Sequence, residues 1–167
     1  MTVITTKRLV IRPSARDDAA INTMCKWLNN PDITRYSERR HKYHTHQTQF
    51  NYISVHLDTF REIYLGDELI GTINATEDEH NEVADVGIMI GDKSRWGQGY
   101  GLEAWAGYCD NLLNDGMRKI ESGTMTHNLG MVHIFRKYGM YYEGRRQAHF
   151  LCGKETVDMV LWGKFRD

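Results

Sequence analysis

The feature that most constrains the fold is a β-strand followed by a glycine-rich loop and an amphipathic helix. Residues 83–90 alternate side chains between two faces, as a strand does. Glycines follow at Gly97, Gly99 and Gly101, and residues 101–114 carry an apolar helical stripe. Glycine lets a backbone approach a ligand, and the first turn of a helix offers unpaired N–H groups and partial positive charge. The segment therefore predicts a loop that binds an anion such as a diphosphate.

Two common phosphate-binding motifs do not fit this loop. A P-loop requires the string Gly-x-x-x-x-Gly-Lys-Ser/Thr, which the sequence lacks. A dinucleotide-binding fold requires Gly-x-Gly-x-x-Gly in an early β-α-β unit, whereas this chain has Gly-x-Gly-x-Gly past its midpoint, after an apparent β-meander. A tight turn with ordinary helix capping stays open as the alternative to an anion site.

Glycine and proline are distributed unevenly along the 167 residues. All 15 glycines lie at Gly66 or later, and both prolines lie at Pro31 or earlier. Apolar periodicity and turn signals predict strands at residues 8–12, 60–65, 69–75, 83–90, 120–126, 141–150 and 156–164, and helices at residues 17–28, 45–57, 101–114 and 129–138. This order predicts one α/β (α+β) domain, with a central mixed, mostly antiparallel sheet flanked by helices on both faces.

Composition excludes several classes of protein. The formal net charge of -1 argues against a general nucleic-acid coat or a polybasic membrane binder. No apolar stretch approaches the roughly 18 residues that span a bilayer, and the first residues lack a signal-peptide pattern. Cys25, Cys109 and Cys152 have no metal-ligand spacing, which favours buried free thiols in a reducing compartment. We therefore expect a cytoplasmic monomer or homodimer without a nucleic-acid or membrane partner.

Five segments occur in an order typical of one enzyme family. They are residues 6–13; residues 17–19 with 27–36; the string Trp96-Gly97-Gln98-Gly99-Tyr100-Gly101-Leu102-Glu103; residues 128–139 with 142–145; and Asp158 with Val160 and Trp162. In these segments the chain resembles the GNAT superfamily of acetyl-CoA-dependent N-acetyltransferases, and within it the RimJ/RimL-like branch. The resemblance extends along nearly the whole chain, and five motifs in the right order make it specific.

The resemblance implies a single acetyltransferase domain over residues 1–167. About residues 1–65 would form a strand and a helical cap on the acceptor side, and about residues 66–167 an acetyl-CoA-binding core. The diphosphate would lie on backbone N–H groups of the glycine loop, the pantetheine arm along the preceding strand, and one Asn side chain would bond that arm. The cofactor-binding residues implied in this way are Ile88, Met89, Ile90, Trp96, Gly97, Gln98, Gly99, Tyr100, Gly101 and Asn128. Glu103, in the first helical turn, is expected to cap its helix.

Acetyl transfer to an amine needs a base, a polarised thioester carbonyl and a proton for the departing thiolate. An amine with a pKa of about 10.4 costs about 4.6 kcal/mol to neutralise at pH 7, whereas a protein α-amine costs only about 1–1.4 kcal/mol. Asp85 is the first candidate base, acting through water, and an ion pair with a neighbouring Arg or Lys is the alternative. The resemblance implies that a backbone N–H near Met89 or Ile90 polarises the carbonyl.

Neither position where the family usually has its general acid holds a proton donor in this chain. The resemblance puts a Tyr or a Ser at positions that hold Phe135 and Met131 here, and neither side chain can donate a proton. Tyr138 is a candidate for this role, with core packing as the alternative. Further options are His127, His133, Ser122, Thr124 and a proton passed from the substrate through water.

A basic, aromatic segment at residues 35–46 predicts the acceptor side of the site. The segment contains Lys42 and three arginines but one acidic residue, Glu38. The resemblance implies that this region forms one side of the acceptor site. The charge favours an anionic acceptor, and a solvated loop is the alternative. The candidate substrate-binding residues are Arg35, Tyr36, Arg39 and Arg40. Histidines at positions 41, 44 and 46 have no cysteine or set of carboxylates nearby to complete a metal site, so no metal is expected.

Three hypotheses about function follow. The first, which we favour, is an N-acetyltransferase that acts on a small-molecule amine such as an amino sugar nucleotide, by direct attack in a ternary complex. The second is an acetyltransferase for protein N-termini, as the name of the branch implies. The third, of a different class, is a non-catalytic CoA-binding module, to which the missing acid donors lend weight.

Overall fold

Within residues 2–167, which the computed structural model describes, eight strands form one sheet. The strands are β1 (Ile4–Thr5), β2 (Leu9–Pro13), β3 (Arg61–Leu65), β4 (Glu68–Asp78), β5 (Val83–Ile90), β6 (Lys119–Met125), β7 (Tyr141–Cys152) and β8 (Glu155–Phe165). The helices are α1 (Asp18–Leu28), α2 (Pro31–Thr34), α3 (His46–Val55), α4 (Tyr100–Asn114) and α5 (Leu129–Tyr138), with 3-10 turns at Glu38–His41 and Lys93–Arg95.

The strand order is β1-β2-β3-β4-β5-β6-β8-β7. β5 and β6 run parallel, whereas β1–β2, β2–β3, β3–β4, β6–β8 and β7–β8 are antiparallel pairs. The predicted α/β domain with a mixed, mostly antiparallel sheet is confirmed. The glycine loop and α4 connect the two strands of the parallel pair. Parallel strands require such a crossover connection.

Side-chain caps fix where three of the helices begin. Asp17 accepts a hydrogen bond from the Ala20 N–H at 2.9 Å at the start of α1, and Thr45 and Thr48 form a capping box at the start of α3. Asn128 caps α5 in the same way. These caps satisfy N–H groups that a helix start leaves unpaired, so each helix begins within one residue of its predicted position. No helix in the described part of the chain has the length and apolarity to cross a membrane.

Two short elements are not predicted from the sequence. β1 has only two residues, too few to show a period, and it is fixed by the pairing of Ile4 with Ile11 on β2. α2 begins at Pro31, whose missing N–H costs nothing in the first turn of a helix. Asn30 caps α2 by accepting a hydrogen bond from the Asp32 N–H at 3.0 Å.

The chain forms two compact units. The first contains residues up to Ala75 together with Gly87–Tyr108, and the second contains Thr76–Val86 together with Cys109–Asp167. The chain passes between the units inside β4, inside β5 and inside α4.

Each unit has its own buried apolar side chains. Those of the first unit include Leu9, Ile11, Ile21, Met24, Ile53, Phe60, Ile63, Ile70, Ile73 and Trp105, and those of the second include Ile120, Met125, Phe135, Met140, Val157 and Trp162. All three cysteines are free thiols; Cys25 and Cys109 are buried, as expected, and Cys152 is partly exposed. Burial raises the pKa of the Cys25 thiol and, more strongly, that of Cys109, so both stay protonated at neutral pH.

Candidate active site

The loop between β5 and α4 has the backbone geometry of an anion site. Gly97 and Gly99 adopt left-handed conformations with φ of 72° and 83°, and no atom lies within 4 Å of a Cβ added at Gly97. Among the described residues, Glu103 is the first residue of α4 whose backbone N–H donates a hydrogen bond to a carbonyl oxygen. Its acceptor is Gly99 O, at 3.0 Å. The N–H groups of residues 97–102 are therefore available to a ligand, and the loop fits a diphosphate.

Two side chains hold this loop to the residues that precede it. Trp96 donates from Nε1 to the carbonyl oxygen of Ile90 at 2.7 Å, and Gln98 donates from Nε2 to the carbonyl oxygen of Ser94 at 2.6 Å. Asp92 caps the turn by accepting from the Ser94 N–H at 3.0 Å and from its Oγ at 2.7 Å. Because both side chains are engaged within the loop, the predicted contribution of Trp96 and Gln98 to diphosphate binding depends on backbone groups.

The carboxylate of Glu103, which was expected to cap its own helix, bonds two residues near the start of the chain. Its Oε1 accepts from Thr6 Oγ1 at 2.6 Å and from the Arg8 N–H at 2.7 Å, and its Oε2 accepts from Arg8 Nε at 2.6 Å. Burial raises the pKa of Glu103, but the hydrogen bonds from Thr6 and Arg8 outweigh it and hold that pKa below its usual value. No local pattern could reveal this network, because its partners are separated by more than 90 residues.

β5 pairs with β6 at its first residues. The register contains three pairs, Val83 with Lys119, Ala84 with Ile120, and Asp85 with Glu121. Beyond them, a side chain continues the contact, as Ser122 Oγ donates to the Val86 carbonyl at 2.8 Å. The predicted pantetheine residues at 88–90 follow these pairs along β5.

Two glycines allow close approach to the end of β5. A Cβ at Gly71 on β4 would overlap the carbonyl oxygen of Met89, and a Cβ at Gly91 would overlap the indole ring of Trp27. Because the Met89 carbonyl points toward Gly71, the N–H of Ile90 in the same trans peptide points away from it. This is one of the two N–H groups expected to polarise a thioester carbonyl.

Asp85 is a carboxylate that forms no ion pair with any described residue. It lines an open cleft of about 590 Å³. Lys119, which also lines this cleft, contacts Glu143 at 2.8 Å and Glu121 at 3.5 Å, and no described residue forms an ion pair with Asp85. Desolvation, and then the charge of Glu121, raise the pKa of Asp85. Sequence reasoning missed Glu121, because the pairing of β5 with β6 is not visible in local patterns.

Tyr138 donates its hydroxyl hydrogen to a carboxylate. The acceptor is Asp110 Oδ1, at 2.7 Å. Desolvation, and then this hydrogen bond, raise the pKa of Tyr138 far above its usual range. Phe135, at the usual acid position, packs against the indole of Trp162 with ring centroids 5.9 Å apart. Tyr138 therefore stays a prediction as the acid, and its proton is already engaged.

Asn128 holds the start of α5. Its Oδ1 accepts from the Met131 N–H at 3.2 Å, and its Nδ2 donates to Thr124 Oγ1 at 3.0 Å. The residue is partly buried. Both ends of the amide are thus fixed in orientation, and its predicted bond to pantetheine would use the second lone pair of Oδ1 or the second hydrogen of Nδ2.

The basic segment separates into engaged and exposed arginines. Arg39 Nη2 donates to Gln49 Oε1 at 2.8 Å and lies 3.3 Å from His44 Nδ1, and its guanidinium stacks 4.0 Å from the ring centroid of Tyr52. Among the described residues no carboxylate pairs with Arg39, and desolvation lowers its pKa. The other three candidates have contacts to residues close by in sequence. Arg40 bonds Glu38 at 2.6 Å, and the exposed Arg35 stacks over Tyr36.

The histidines of this segment have structural partners. His44 is buried and its Nε2 lies 2.8 Å from the Arg39 carbonyl, while His46 Nε2 lies 2.9 Å from Asp18 Oδ1. Within residues 2–167 no group of three or more His, Cys, Asp or Glu side chains is placed to hold a metal ion.

Residues 8–141 match the model of the acetyltransferase (GNAT) domain. The chain belongs to the GNAT acetyltransferase family. An acetyltransferase from Bacillus anthracis shares 17% identity and a TM-score of 0.85, with 99% of each chain covered. RimL, a ribosomal L7/L12 α-N-protein acetyltransferase in complex with coenzyme A, shares 13% identity and a TM-score of 0.87, again with 99% of each chain covered. MccE, a microcin C7 self-immunity acetyltransferase in complex with acetyl-CoA and AMP, shares 12% identity and a TM-score of 0.81, covering 95% of this chain and 93% of that one.

No curated protein matches the sequence of this GNAT chain. The family match confirms the resemblance found in its motifs. The chain is an acetyltransferase, and acetyl-CoA is its acetyl donor. The hypothesis of a non-catalytic CoA-binding module is therefore set aside.

Proposed function

We propose that this enzyme acetylates the primary amine of a small molecule that also carries an anionic group, such as an amino sugar nucleotide. The observation that carries this proposal is the guanidinium of Arg39, which is partly buried and has no carboxylate partner in the described residues. A guanidinium stays charged, and a desolvated cation without an anion is costly. A phosphate or carboxylate on the acceptor would supply the missing charge.

The contacts of Arg39 prepare it for such a partner. Gln49 and Tyr52 fix the guanidinium plane, which reduces the entropy lost when an anion binds. Tyr52 is itself held by Asn74 on β4, whose Nδ2 lies 3.2 Å from the tyrosine hydroxyl. The exposed Arg35, with Tyr36, would add longer-range attraction, whereas Arg40 is already bonded to Glu38.

Asp85 is the proposed general base, acting through a water molecule. Its raised pKa lies closer to the working pH than that of an ordinary aspartate. A base with a pKa near the working pH is still ionised and binds a proton more strongly. The absence of an ion pair leaves both carboxylate oxygens free to accept a proton. Deprotonation of an alkylammonium group with a pKa of about 10.4 costs about 4.6 kcal/mol at pH 7, so an acceptor amine of that basicity would need this residue.

The donor side of the proposal depends on the loop and on β5. The N–H groups of residues 98–101 would bind the diphosphate, residues 88–90 would pair with pantetheine, and Asn128 would bond the same arm. The outward Ile90 N–H would polarise the thioester carbonyl, which stabilises charge developing on its oxygen. Residues 1–65 would then serve mainly the acceptor and residues 66–167 the donor.

The proton for the thiolate has two candidate sources. Tyr138 would have to release a proton that it now donates to Asp110. A proton taken from the attacking amine and returned through water needs no such rearrangement. We therefore propose the second route. Asp85 takes the first proton of the ammonium group before attack, and the second proton passes from the nitrogen through water to the sulfur as the C–N bond forms and the C–S bond breaks.

A protein N-terminus is the second candidate acceptor. The fold likeness to RimL, which is a ribosomal L7/L12 α-N-protein acetyltransferase, favours it. An α-amine costs only about 1–1.4 kcal/mol to deprotonate, so such a substrate would depend weakly on Asp85. The complex of MccE with acetyl-CoA and AMP favours the nucleotide-bearing acceptor instead.

A three-part acceptor panel tests the proposal. It contains nucleotide amino sugars, the same amino sugars without the nucleotide, and short peptides with free N-termini. We expect turnover of the first group, and Arg39→Gln should raise its KM at least about tenfold while hardly changing the KM of the uncharged amines. Arg61→Gln, an arginine that donates to the Phe60 carbonyl, is the matched control. Turnover of peptides alone would establish the second candidate, and an equal loss with charged and uncharged amines would remove Arg39 from the acceptor site.

A further inference from the structure

Arg8, which precedes β2, contacts three consecutive residues of the glycine loop. Its Nη1 donates to the carbonyl oxygen of Gln98 at 3.0 Å, and its Nη2 lies 3.4 Å from the position that a Cβ at Gly99 would take. Its Cζ lies 4.3 Å from the ring centroid of Tyr100. One guanidinium therefore faces the part of the loop where the diphosphate is proposed to bind.

The bond to Gln98 sets the direction of the next N–H group. In a trans peptide the carbonyl oxygen and the following N–H point in opposite directions. Since Arg8 holds the Gln98 oxygen on its own side, the N–H of Gly99 points to the opposite side of the loop. Glycines at 97 and 99 leave this peptide few steric restraints of its own, so an outside contact is needed to orient it.

Arg8 is in turn held by a carboxylate from the helix that the loop begins. Glu103 accepts from the Arg8 N–H at 2.7 Å and from Arg8 Nε at 2.6 Å, and Thr6 Oγ1 donates to the same carboxylate at 2.6 Å. These bonds occupy Nε and leave Nη1 for the loop. A guanidinium is suited to this task because its donors form a rigid planar fork that can bridge two acceptors.

We propose that Thr6, Arg8 and Glu103 act as positioning residues that direct the Gly99 N–H toward the diphosphate of acetyl-CoA. The inference rests on the placement of the diphosphate in this loop. It gives the opening segment of the chain a part in donor binding, although the sequence alone assigns that segment to the acceptor side. None of the three residues needs to contact the donor, since they act through the loop peptide.

Two donors that differ in the diphosphate separate positioning from general stability. Acetyl-CoA carries it, and S-acetylpantetheine has the same thioester and pantetheine arm without it. We expect Arg8→Gln, Glu103→Gln and Thr6→Val to raise the KM for acetyl-CoA, by about tenfold for the first, while kcat and the KM for S-acetylpantetheine stay unchanged. Arg8→Lys should behave like Arg8→Gln, because an ammonium cannot bridge Glu103 and the Gln98 carbonyl as the fork does.

Arg12→Gln provides a matched control. Arg12 lies four residues further along, on β2, and stacks over the Tyr64 ring at 3.9 Å as Arg8 stacks over Tyr100. It should leave both KM values unchanged. Thermal midpoints of all variants are measured in parallel, and Thr6→Val, which removes one hydrogen-bond donor with little change in shape, keeps the test decisive if Arg8→Gln does not fold.

Three results would overturn the proposal. If Arg8→Gln and Thr6→Val weaken both donors equally, the three residues support the fold and not the diphosphate. If Arg8→Lys restores the wild-type KM, Arg8 acts as a charge on the ligand and not through the loop peptide. If the wild-type enzyme binds both donors equally, the diphosphate does not lie in this loop, and that failure appears without any variant.

Discussion

The raised pKa of Asp85, which suits a general base, also lowers the stability of the folded protein at neutral pH. Desolvation and Glu121 raise its pKa in the folded state, so folding favours the protonated carboxyl. The contribution of this residue to stability is therefore full at low pH, and it is lost as pH rises from the unfolded pKa of about 3.9 through the raised folded value. At neutral pH the ionised carboxylate is destabilising, and we propose that it is kept because it accepts a proton.

Replacement of Asp85 by Asn should separate these two effects. We expect kcat/KM for a small-molecule amine to fall at least about a hundredfold, and the acidic limb of its pH profile to disappear, because the proton acceptor is lost. The thermal midpoint should rise at neutral pH and return to the wild-type value in acid. The measurements are rates between about pH 5 and pH 9 and unfolding curves at each pH.

Glu121→Gln is the companion variant for this prediction. It removes the negative charge that helps to raise the pKa of Asp85, so the acidic limb should move to lower pH while the maximal rate is kept. A full rate for Asp85→Asn at every pH would eliminate Asp85 as the base.

Tyr138→Phe examines the source of the thiolate proton. The substitution removes the hydrogen bond to Asp110 and leaves the ring in place. We expect kcat within about twofold of wild type and a loss of about 1 kcal/mol in the free energy of unfolding, as for one hydrogen bond. A drop in kcat of two orders of magnitude, with stability unchanged, would instead identify Tyr138 as the acid.

Local sequence predicts site residues only where the chemistry is local. The glycine loop and Asp85 could be proposed because spacing and residue type suffice to suggest an anion site and a base. Glu121, Asp110 and the partners of Glu103 could not, since they depend on pairing between segments distant in sequence. Glu121 nonetheless adds to the rise that desolvation causes in the pKa of Asp85, and Asp110 accepts the Tyr138 proton in a hydrogen bond.

At the scale of elements, periodic segments are predictable and short ones are not. α1 and α5 begin within one residue of the positions that their caps predict. β1 depends on its pairing with β2, and α2 on a cap and a proline whose pattern resembles the end of a helix. Elements of two to four residues contain too little periodicity for a sequence to specify them alone.

A substitution at Gly91, which follows β5, measures how tightly the end of that strand packs against Trp27 of α1. A Cβ there would overlap the Trp27 indole, so Gly91→Ala must displace the ring or the strand end. We expect a loss of about 1–3 kcal/mol in the free energy of unfolding, measured by urea denaturation. Gly130→Ala in α5 is the control, because the nearest atom to its Cβ would be Asn128 Oδ1 at 3.9 Å, an ordinary van der Waals contact. Equal stability of the two variants would contradict the packing of Trp27 on Gly91.

At the scale of the whole molecule, donor binding should appear as added stability. Coenzyme A at 100 times its Kd would stabilise the folded enzyme by about 2.7 kcal/mol, seen as a raised thermal midpoint. Gly99→Ala should lose this shift, because φ at Gly99 is 83° and the loop must change to accept a side chain. Gly153→Ala, in the β7–β8 turn with φ of 66°, introduces the same kind of strain far along the chain and should keep the shift. Loss of the shift in both variants would place the effect in global stability.

The passage of the chain between its two compact units has a consequence for how the protein opens. Domain boundaries commonly fall in exposed linkers, where a protease can cut and each part survives. Here all three passages fall inside β4, β5 and α4, and neither unit is a continuous stretch of sequence. No single cut can release a unit intact, so limited proteolysis should yield no stable fragment that corresponds to either unit.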